Sequence, residues 1–323
     1  MPEVILVTGA ARFLGGLMAE QLAGEPGVKR VIGVDVVGPD RPLHEVEFVR
    51  ADIRSPIISR VMDEAQVDTV VHMGVISTPQ QAGGRSTMKD INVIGTMQLL
   101  AACQSTPSVT SVVLKSTAGI YGSGPKNPAR YTEDAEPAHA PRSGWPKDCA
   151  EVEGYVRGFG RRRLDASITI LRFANIIGPR MRTGLTGYFT LPVIPTVLGF
   201  DARLQFIHED DALDITRQAA LTPIRGTFNV AGPGVMTLAQ AVRRTGRRWV
   251  AVPAPLFASV GRGLARAGDA DFSAEQVRFL TYGRVLDTAK VERAFGWRPR
   301  FSTPEAFEAF IHGQGGKGVK GVA

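Results

Sequence analysis

The stretch Val4 to Gly16, VILVTGAARFLGG, constrains the fold more than any other part of this 323-residue chain. Its apolar run VILV has the length and branched side chains of a strand buried on both faces, and it empties into a glycine-bearing turn followed by the helical pattern LMAEQLA. Strand, turn and helix in that order aim the first amides of a helix, backed by its dipole, at whatever lies over the turn. A pyrophosphate is the fitting ligand. Phe13, Leu14 and Gly15 would present the helix-start amides, while Gly9 and Gly15 let the chain turn tightly and pack closely. Such a loop can equally be a plain strand-to-helix turn, so the second strand has to separate the two readings.

That strand, VKRVIGVDVV, ends its apolar run at Asp35, twenty residues beyond Gly15. In a Rossmann unit this is where a carboxylate accepts from the adenosine ribose hydroxyls. A carboxylate there favours NAD, because it repels the extra phosphate of NADP and no Arg or Lys follows directly. The alternative is a solvated Asp at a strand end. Further strands are expected at VEFVRADIR, ending at Asp52, at VDTVVHMGV, closing on Gly74, at SVVLKSTAGIYG and at SITILRFANIIGP. Helices are expected at about 89–103 and 146–160. Strands alternating with helices at this spacing require crossover connections, hence an α/β fold with a doubly wound parallel sheet. The loop 123–145, rich in Pro, Gly and Ala, is long enough to be functional. The expected division is an NAD-binding Rossmann domain over 1–179, completed by about 203–232, a smaller C-terminal α/β cap from 180–202 and 233–313, and a disordered tail at 314–323.

Composition narrows the class. The chain is 44% hydrophobic with two cysteines, Cys103 and Cys149, and it has no apolar run of membrane length and no basic-then-apolar leader. A reduced, cytoplasmic protein without a membrane partner is expected. The net charge of +7 invites anionic ligands. Its basic runs RGFGRRR and RRTGRR lack the interleaved aromatics of a base-stacking groove, so a nucleic-acid partner is not expected. His44, His72, His139, His208 and His312 show no ligand spacing, which leaves a metal site without support.

The pieces VTGAARFLGG, Asp35, ADIR, VDTVVHMG, NVIGT, LKSTAGIYG, LRFANIIGPR, FIHEDDAL and VLDTAKVERAFGWRP follow one another in a familiar order. Through them the chain resembles the extended short-chain dehydrogenases/reductases, the NAD-dependent epimerase/dehydratase group, over nearly its whole length. The resemblance implies NAD on the first loop, with Asp52 and Ile53 at the adenine, Gly74 beside the cofactor and Phe173 at the nicotinamide end. It also implies a substrate contact at Asn175, a Ser/Thr at Thr117, and a Tyr-x-x-x-Lys pair that handles a hydroxyl proton while nicotinamide takes the hydride. A phenol whose pKa is lowered by an ammonium suits that task.

Three positions depart from the pattern. Lys147 stands at the family's lysine, but the tyrosine position is Ser143, and Gly144, Trp145 and Pro146 change with it. An aliphatic hydroxyl is far less acidic and one ring shorter, and Pro146 fits a first helical turn, so Ser143 is expected to precede the helix. Tyr121 is the one nearby phenol, either a replacement base or a packed core aromatic. Lys147 is either a ligand of the nicotinamide ribose or half of an i,i+4 pair with Glu151. The second departure is Arg12, where the family carries glycine: its guanidinium would cap the phosphates or fill their place. The third is Leu204, which replaces an arginine that clamps a diphosphate in nucleotide-sugar enzymes, with Arg203 on the opposite strand face. These readings lead to an atypical oxidoreductase or epimerase acting on a hydroxylated metabolite such as a sugar or nucleotide sugar, with altered acid/base machinery, or to a non-catalytic NAD-binding sensor or scaffold. By analogy, the two helices named above would pair copies as a homodimer.

Overall fold

The computed structural model describes residues 2–76, 83–135, 141–265 and 272–314. The first half alternates strand and helix: β1 (Val4–Thr8), α1 (Phe13–Ala23), β2 (Arg30–Asp35), β3 (Glu47–Arg50), α2 (Ile57–Glu64) and β4 (Thr69–His72). Next come α3 (Arg85–Lys89), a π-helical turn at Asp90–Ile94, α4 (Gly95–Ser105), β5 (Ser111–Thr117), α5 (Gly144–Arg162) and β6 (Ser167–Phe173). After β6 the order is β7 (Asn175–Ile177), α6 (Gly184–Phe189), β8 (Val193–Val197), β9 (Arg203–Leu204), β10 (Phe206–His208), α7 (Glu209–Leu221) and β11 (Gly226–Val230). The chain finishes with β12 (Met236–Thr237), α8 (Leu238–Arg244), β13 (Arg248–Val252), α9 (Ala254–Ala265), α10 (Ala274–Tyr282), α11 (Ala289–Phe295) and α12 (Thr303–Gly313).

Seven strands form one sheet in the order β11-β6-β5-β4-β1-β2-β3, and each adjacent pair is parallel. The strand order reverses between β1 and β4, so the crevice above their carboxyl ends is the ligand position for such a sheet. Apolar side chains cover both faces. Leu6, Val70, Val112 and Leu114 pack on one side with Leu99 of α4 and Val152 of α5, and Ile5, Val7, Val71 and Val113 pack on the other with Met18 of α1 and Leu213 of α7. A third core, built around Tyr188, Phe189, Phe257 and Phe307, belongs to the segments after β7. No described helix is long and apolar enough to cross a membrane.

Several elements end elsewhere than the sequence suggests. β3 stops at Arg50, before Asp52, because the Asp52 carboxylate accepts from the Arg54 amide at 2.9 Å and turns the chain. β5 stops at Thr117, whose hydroxyl accepts from the Gly119 amide at 3.0 Å and starts a 3-10 turn over Ala118–Tyr121. The expected sixth strand divides at Ala174: β6 stays in the main sheet while β7 pairs with β10. The helix expected from about 89 begins at Arg85 and passes through the π turn, and α5 begins two residues earlier than expected, at Gly144. All of the tail reading except Gln314 lies outside the described residues.

Candidate functional site

At the first loop, Gly9 has φ 76°, and a Cβ there would lie 2.7 Å from Gly74 Cα. A Cβ on Gly15 would come within 2.1 Å of the Gly9 carbonyl oxygen. Both glycines are therefore steric requirements of the turn. The Gly16 amide donates the first backbone bond of α1, to Arg12 O at 2.8 Å, so the amides of Phe13, Leu14 and Gly15 precede the ladder and point out of the helix end. Arg12 is the N-cap residue. It lines a narrow groove with Gly9, Asp35, Ile53 and Gly74. Asp35 is buried and its carboxylate accepts from the amides of Val36 at 2.8 Å and Ala11 at 3.3 Å, which fixes it at the groove wall with lone pairs to spare. Glycines at closest approach, helix-start amides and a strand-end carboxylate fit a dinucleotide. Of the adenine-side residues, Ile53 lines the groove, whereas the Asp52 carboxylate is held by the Arg54 guanidinium, which keeps it below the usual carboxylate range.

Beneath the groove runs a buried polar chain. The Gly74 amide donates to Thr8 Oγ1, and Thr8 Oγ1 lies 2.6 Å from His72 Nδ1. His72 Nε2 lies 2.9 Å from Thr96 Oγ1, which itself donates to Asn92 O. With the threonine hydroxyl donating onward, Nε2 must carry the imidazole proton and Nδ1 must accept. Burial, with Lys115 nearby, pushes the His72 pKa down to about 4, so the ring is a neutral structural link.

A second cavity, of about 150 Å³, opens between the sheet and the later helices. The sheet side contributes Thr117 and Asn175, α5 contributes Trp145 and Pro146, and α10 with the segment behind it contributes Glu275, Phe279 and Arg284. Thr117 and Asn175 thus line one cavity. Other candidates do not join them. Ser143 is an exposed N-cap residue outside α5, so it is not one turn above Lys147 and cannot reach the cavity as a base. Lys147 Nζ sits 3.7 Å from Glu151 Oε1 on a half-exposed helix face, the i,i+4 pair. Phe173 is buried in the sheet core and lines neither cavity.

Tyr121 is corrected from candidate base to core residue. It is 1% exposed, stacks on Tyr131 with ring centroids 4.8 Å apart, donates to Asn229 Oδ1 at 2.8 Å and accepts from Arg172 at 2.7 Å. Burial raises its pKa even against the opposing Arg172 charge, the wrong direction for a base. Arg172 in turn pairs with the buried Glu153 of α5 at 2.8 Å, and Ser116 donates to that carboxylate at 2.6 Å. The network fastens α5 to β5 and β6.

Three side chains at the site carry no motif signal that singled them out. Arg85 makes a bidentate pair with Asp148 at 2.6 and 2.7 Å and donates to Gly144 O, pinning the start of α5. Arg284 donates to Gly122 O at 2.9 Å and has no carboxylate partner among the described residues; burial lowers its pKa to about 10. Lys115, two residues before Thr117, is likewise held below the ordinary lysine range by burial. Lys115 sits within LKSTAGIYG and Arg284 directly precedes VLDTAKVERAFGWRP, so a search for cations in and beside those motifs could have found them. Leu204 is fully buried opposite Met236, and Arg203 points outward.

Comparison with known proteins agrees with this architecture. Residues 5–231 match the NAD dependent epimerase/dehydratase family. An uncharacterized protein of Mycobacterium tuberculosis strain H37Rv is 46% identical over 320 residues, covering 97% of this chain and 85% of that protein. A UDP-glucose 4-epimerase of Mycolicibacterium smegmatis is 26% identical, covering 93% of this chain and 95% of that one. Among solved structures, the UDP-glucose 4-epimerase of Thermotoga maritima with UDP-glucose superposes with a TM-score of 0.74 at 20% identity, over 96% of this chain and 98% of that chain. The UDP-glucuronic acid 4-epimerase of Bacillus cereus, solved with UDP-glucuronic acid and NAD, gives 0.71 at 20% identity, over 96% and 99%.

Proposed function

Since the chain belongs to the NAD-dependent epimerase/dehydratase family, we propose that it binds NAD and oxidises a hydroxyl of a sugar or nucleotide sugar, as an oxidoreductase or as the first step of an epimerisation. The observation that carries this reading is the cavity between sheet and cap, where Thr117 and Asn175 meet Glu275 and Arg284 one strand away from the glycine groove. Phe13 and Leu14 would hold the pyrophosphate through their amides, Asp35 the adenosine ribose, and Lys147 the nicotinamide ribose after leaving Glu151. Bound NAD supplies a hydride acceptor. Thr117 would orient the substrate hydroxyl, Asn175 a second polar group, and Trp145 and Pro146 would exclude water from the reacting carbon.

The test is direct. Purified protein with NAD is mixed with UDP-glucose, UDP-glucuronic acid and free sugars while reduced-cofactor absorbance and sugar products are followed. A rise in absorbance or an epimerised product supports the reading. Tight NAD binding with silence across the panel favours a second reading, a sensor without turnover, to which the exposed Ser143 lends support. Pairing of two copies through α4 and α5 belongs to the same proposal: Ile94, Met97 and Tyr155 are 46%, 42% and 40% exposed. Light scattering that returns a monomer mass would remove it.

A further inference from the structure

The last three residues of β5 run past the end of β4, whose final ladder residue His72 pairs with Leu114, while on the other side they remain bonded to β6. Strand alternation puts the Lys115 and Thr117 side chains on one face, about 7 Å apart. Thr117 lines the cavity between sheet and cap, and Arg12, in the glycine groove, is close enough for its charge to act on Lys115. Lys115 lines neither cavity itself; its place in β5 sets it one pleat behind Thr117, within range of the Arg12 charge, so its long side chain starts close to both.

Its ammonium makes no hydrogen bond or ion pair among the described residues. The acids that could neutralise it from α5 are committed elsewhere, Asp148 to Arg85 and Glu153 to Arg172. The groups whose charges act on it are the Cys149 thiol of α5 and the Arg12 guanidinium from the loop before α1, and its own charge reaches the His72 imidazole of β4. His72 is neutral, and burial pushes the Cys149 thiol up so that it stays protonated. Arg12 is a like charge. Burial is the largest cause of the lowered lysine pKa and Arg12 adds to it, both favouring the uncharged amine.

Among the described residues, the other candidate bases at this end of β5 are engaged or turned away. Tyr121 is bonded to Arg172 and Asn229, Ser143 is exposed outside α5, both His72 nitrogens are engaged, and Lys147 pairs with Glu151. Glu275 enters the cavity from α10, on the cap side, where its charge faces Arg284.

We propose that the Lys115 amine is the proton acceptor for oxidation of the substrate hydroxyl, in the role that a phenol fills in relatives. The inference rests on the reading of the chain as an NAD-dependent enzyme. The hydroxyl O–H bond breaks and its proton passes to Nζ. At the same time the carbinol carbon loses its hydrogen, with the bonding pair, to NAD; the carbon is oxidised to a carbonyl and NAD is reduced. Lys115 is left as an ammonium that returns the proton in the reverse step.

The experiment uses the full chain labelled with ε-13C-lysine, with Lys115→Arg identifying the resonance. The expected result is a Lys115 titration midpoint well below that of the exposed lysines, moving upward when NAD brings its phosphate charges into the groove. Titration together with the surface lysines overturns the proposal whether or not a substrate has been found. With UDP-glucose or UDP-glucuronic acid turned over by the wild type, Lys115→Met should lose roughly 10²- to 10⁴-fold in rate while keeping NAD affinity. Lys115→Arg, charged but not basic at neutral pH, should not rescue it. Wild-type-like rates in Lys115→Met, or loss of the acid-side limb of the pH profile in Glu275→Gln instead, overturn the assignment. A wild type silent on every substrate counts against the enzymatic reading, and the titration then decides the chemistry of Lys115 by itself.

Discussion

At position 12 the backbone has φ −89° and ψ 155°, an extended conformation open to any residue. Glycine is needed at Gly9 and Gly15 for steric reasons and is not needed here, so the arginine costs the loop no strain. Arg12 lines the groove into which the amides of α1 open. A charge-assisted hydrogen bond is worth about 1.5–3 kcal/mol, so Arg12→Ala should weaken NAD binding by roughly 10- to 100-fold in calorimetry. An affinity that rises instead would show that the side chain plugs the groove. Tyr121 leads to the opposite kind of prediction. Tyr121→Phe leaves Asn229 short of a donor and Arg172 short of an acceptor, both buried, which should cost about 1–3 kcal/mol of stability in denaturant titration. The pH dependence of any turnover should not move; a displaced profile would return Tyr121 to the chemistry.

Between elements, two buried networks hold the site's geometry. Glu153 of α5 accepts from Ser116 of β5 and pairs with Arg172 of β6, with Arg157 completing it at 2.7 Å. Removing one partner of a buried pair leaves an uncompensated charge, so Glu153→Ala should destabilise by roughly 3–5 kcal/mol, read as a lowered thermal midpoint. The second network is the Thr8–His72–Thr96 chain. His72 has a folded pKa of about 4 against 6.5, so the unfolded chain takes up the proton first. The contribution of the neutral ring is complete above about pH 6.5 and declines, by about 3 kcal/mol in all, as the pH falls towards 4. His72→Gln should flatten that part of the stability profile relative to wild type; parallel profiles would refute the link. The contrast between these networks and the strands explains what the sequence made legible. VILV, VKRVIGVD and SITILRF announce a parallel sheet through local pattern, and Gly9, Gly15 and Asp35 announce its ligand through spacing. The roles of Arg172, Glu153 and Lys115 depend on partners far along the chain, and no local pattern encodes them. Strand ends at Arg50 and Thr117 were set by side-chain bonds to backbone amides, which compete with the ladder and leave no trace in hydrophobic periodicity.

For the whole molecule, the placement of the two cavities predicts the order in which its parts become rigid. The glycine groove is built only from elements of the first half, with Gly9, Asp35, Ile53 and Gly74 on its walls. The larger cavity needs both halves, since Thr117 comes from β5 and Asn175 from β7 while Glu275 and Phe279 come from α10 and Arg284 from just beyond it. Several contacts tie that far wall back to the first half, among them Arg284 donating to Gly122 O, Arg278 of α10 donating to Ser123 O, and Tyr131 exchanging backbone bonds with Val285 and Asp287. A ligand confined to the groove has no differential contact with α10 and cannot order it, whereas a ligand spanning the cavity touches both sides. Hydrogen exchange should therefore slow at Phe13–Gly15 and around Gly74 with NAD alone, and at α10 only when UDP-glucose or UDP-glucuronic acid is added as well. Protection of α10 by NAD alone would mean that the cofactor reaches the cap by itself, and that the cavity assigned to substrate is part of the cofactor site.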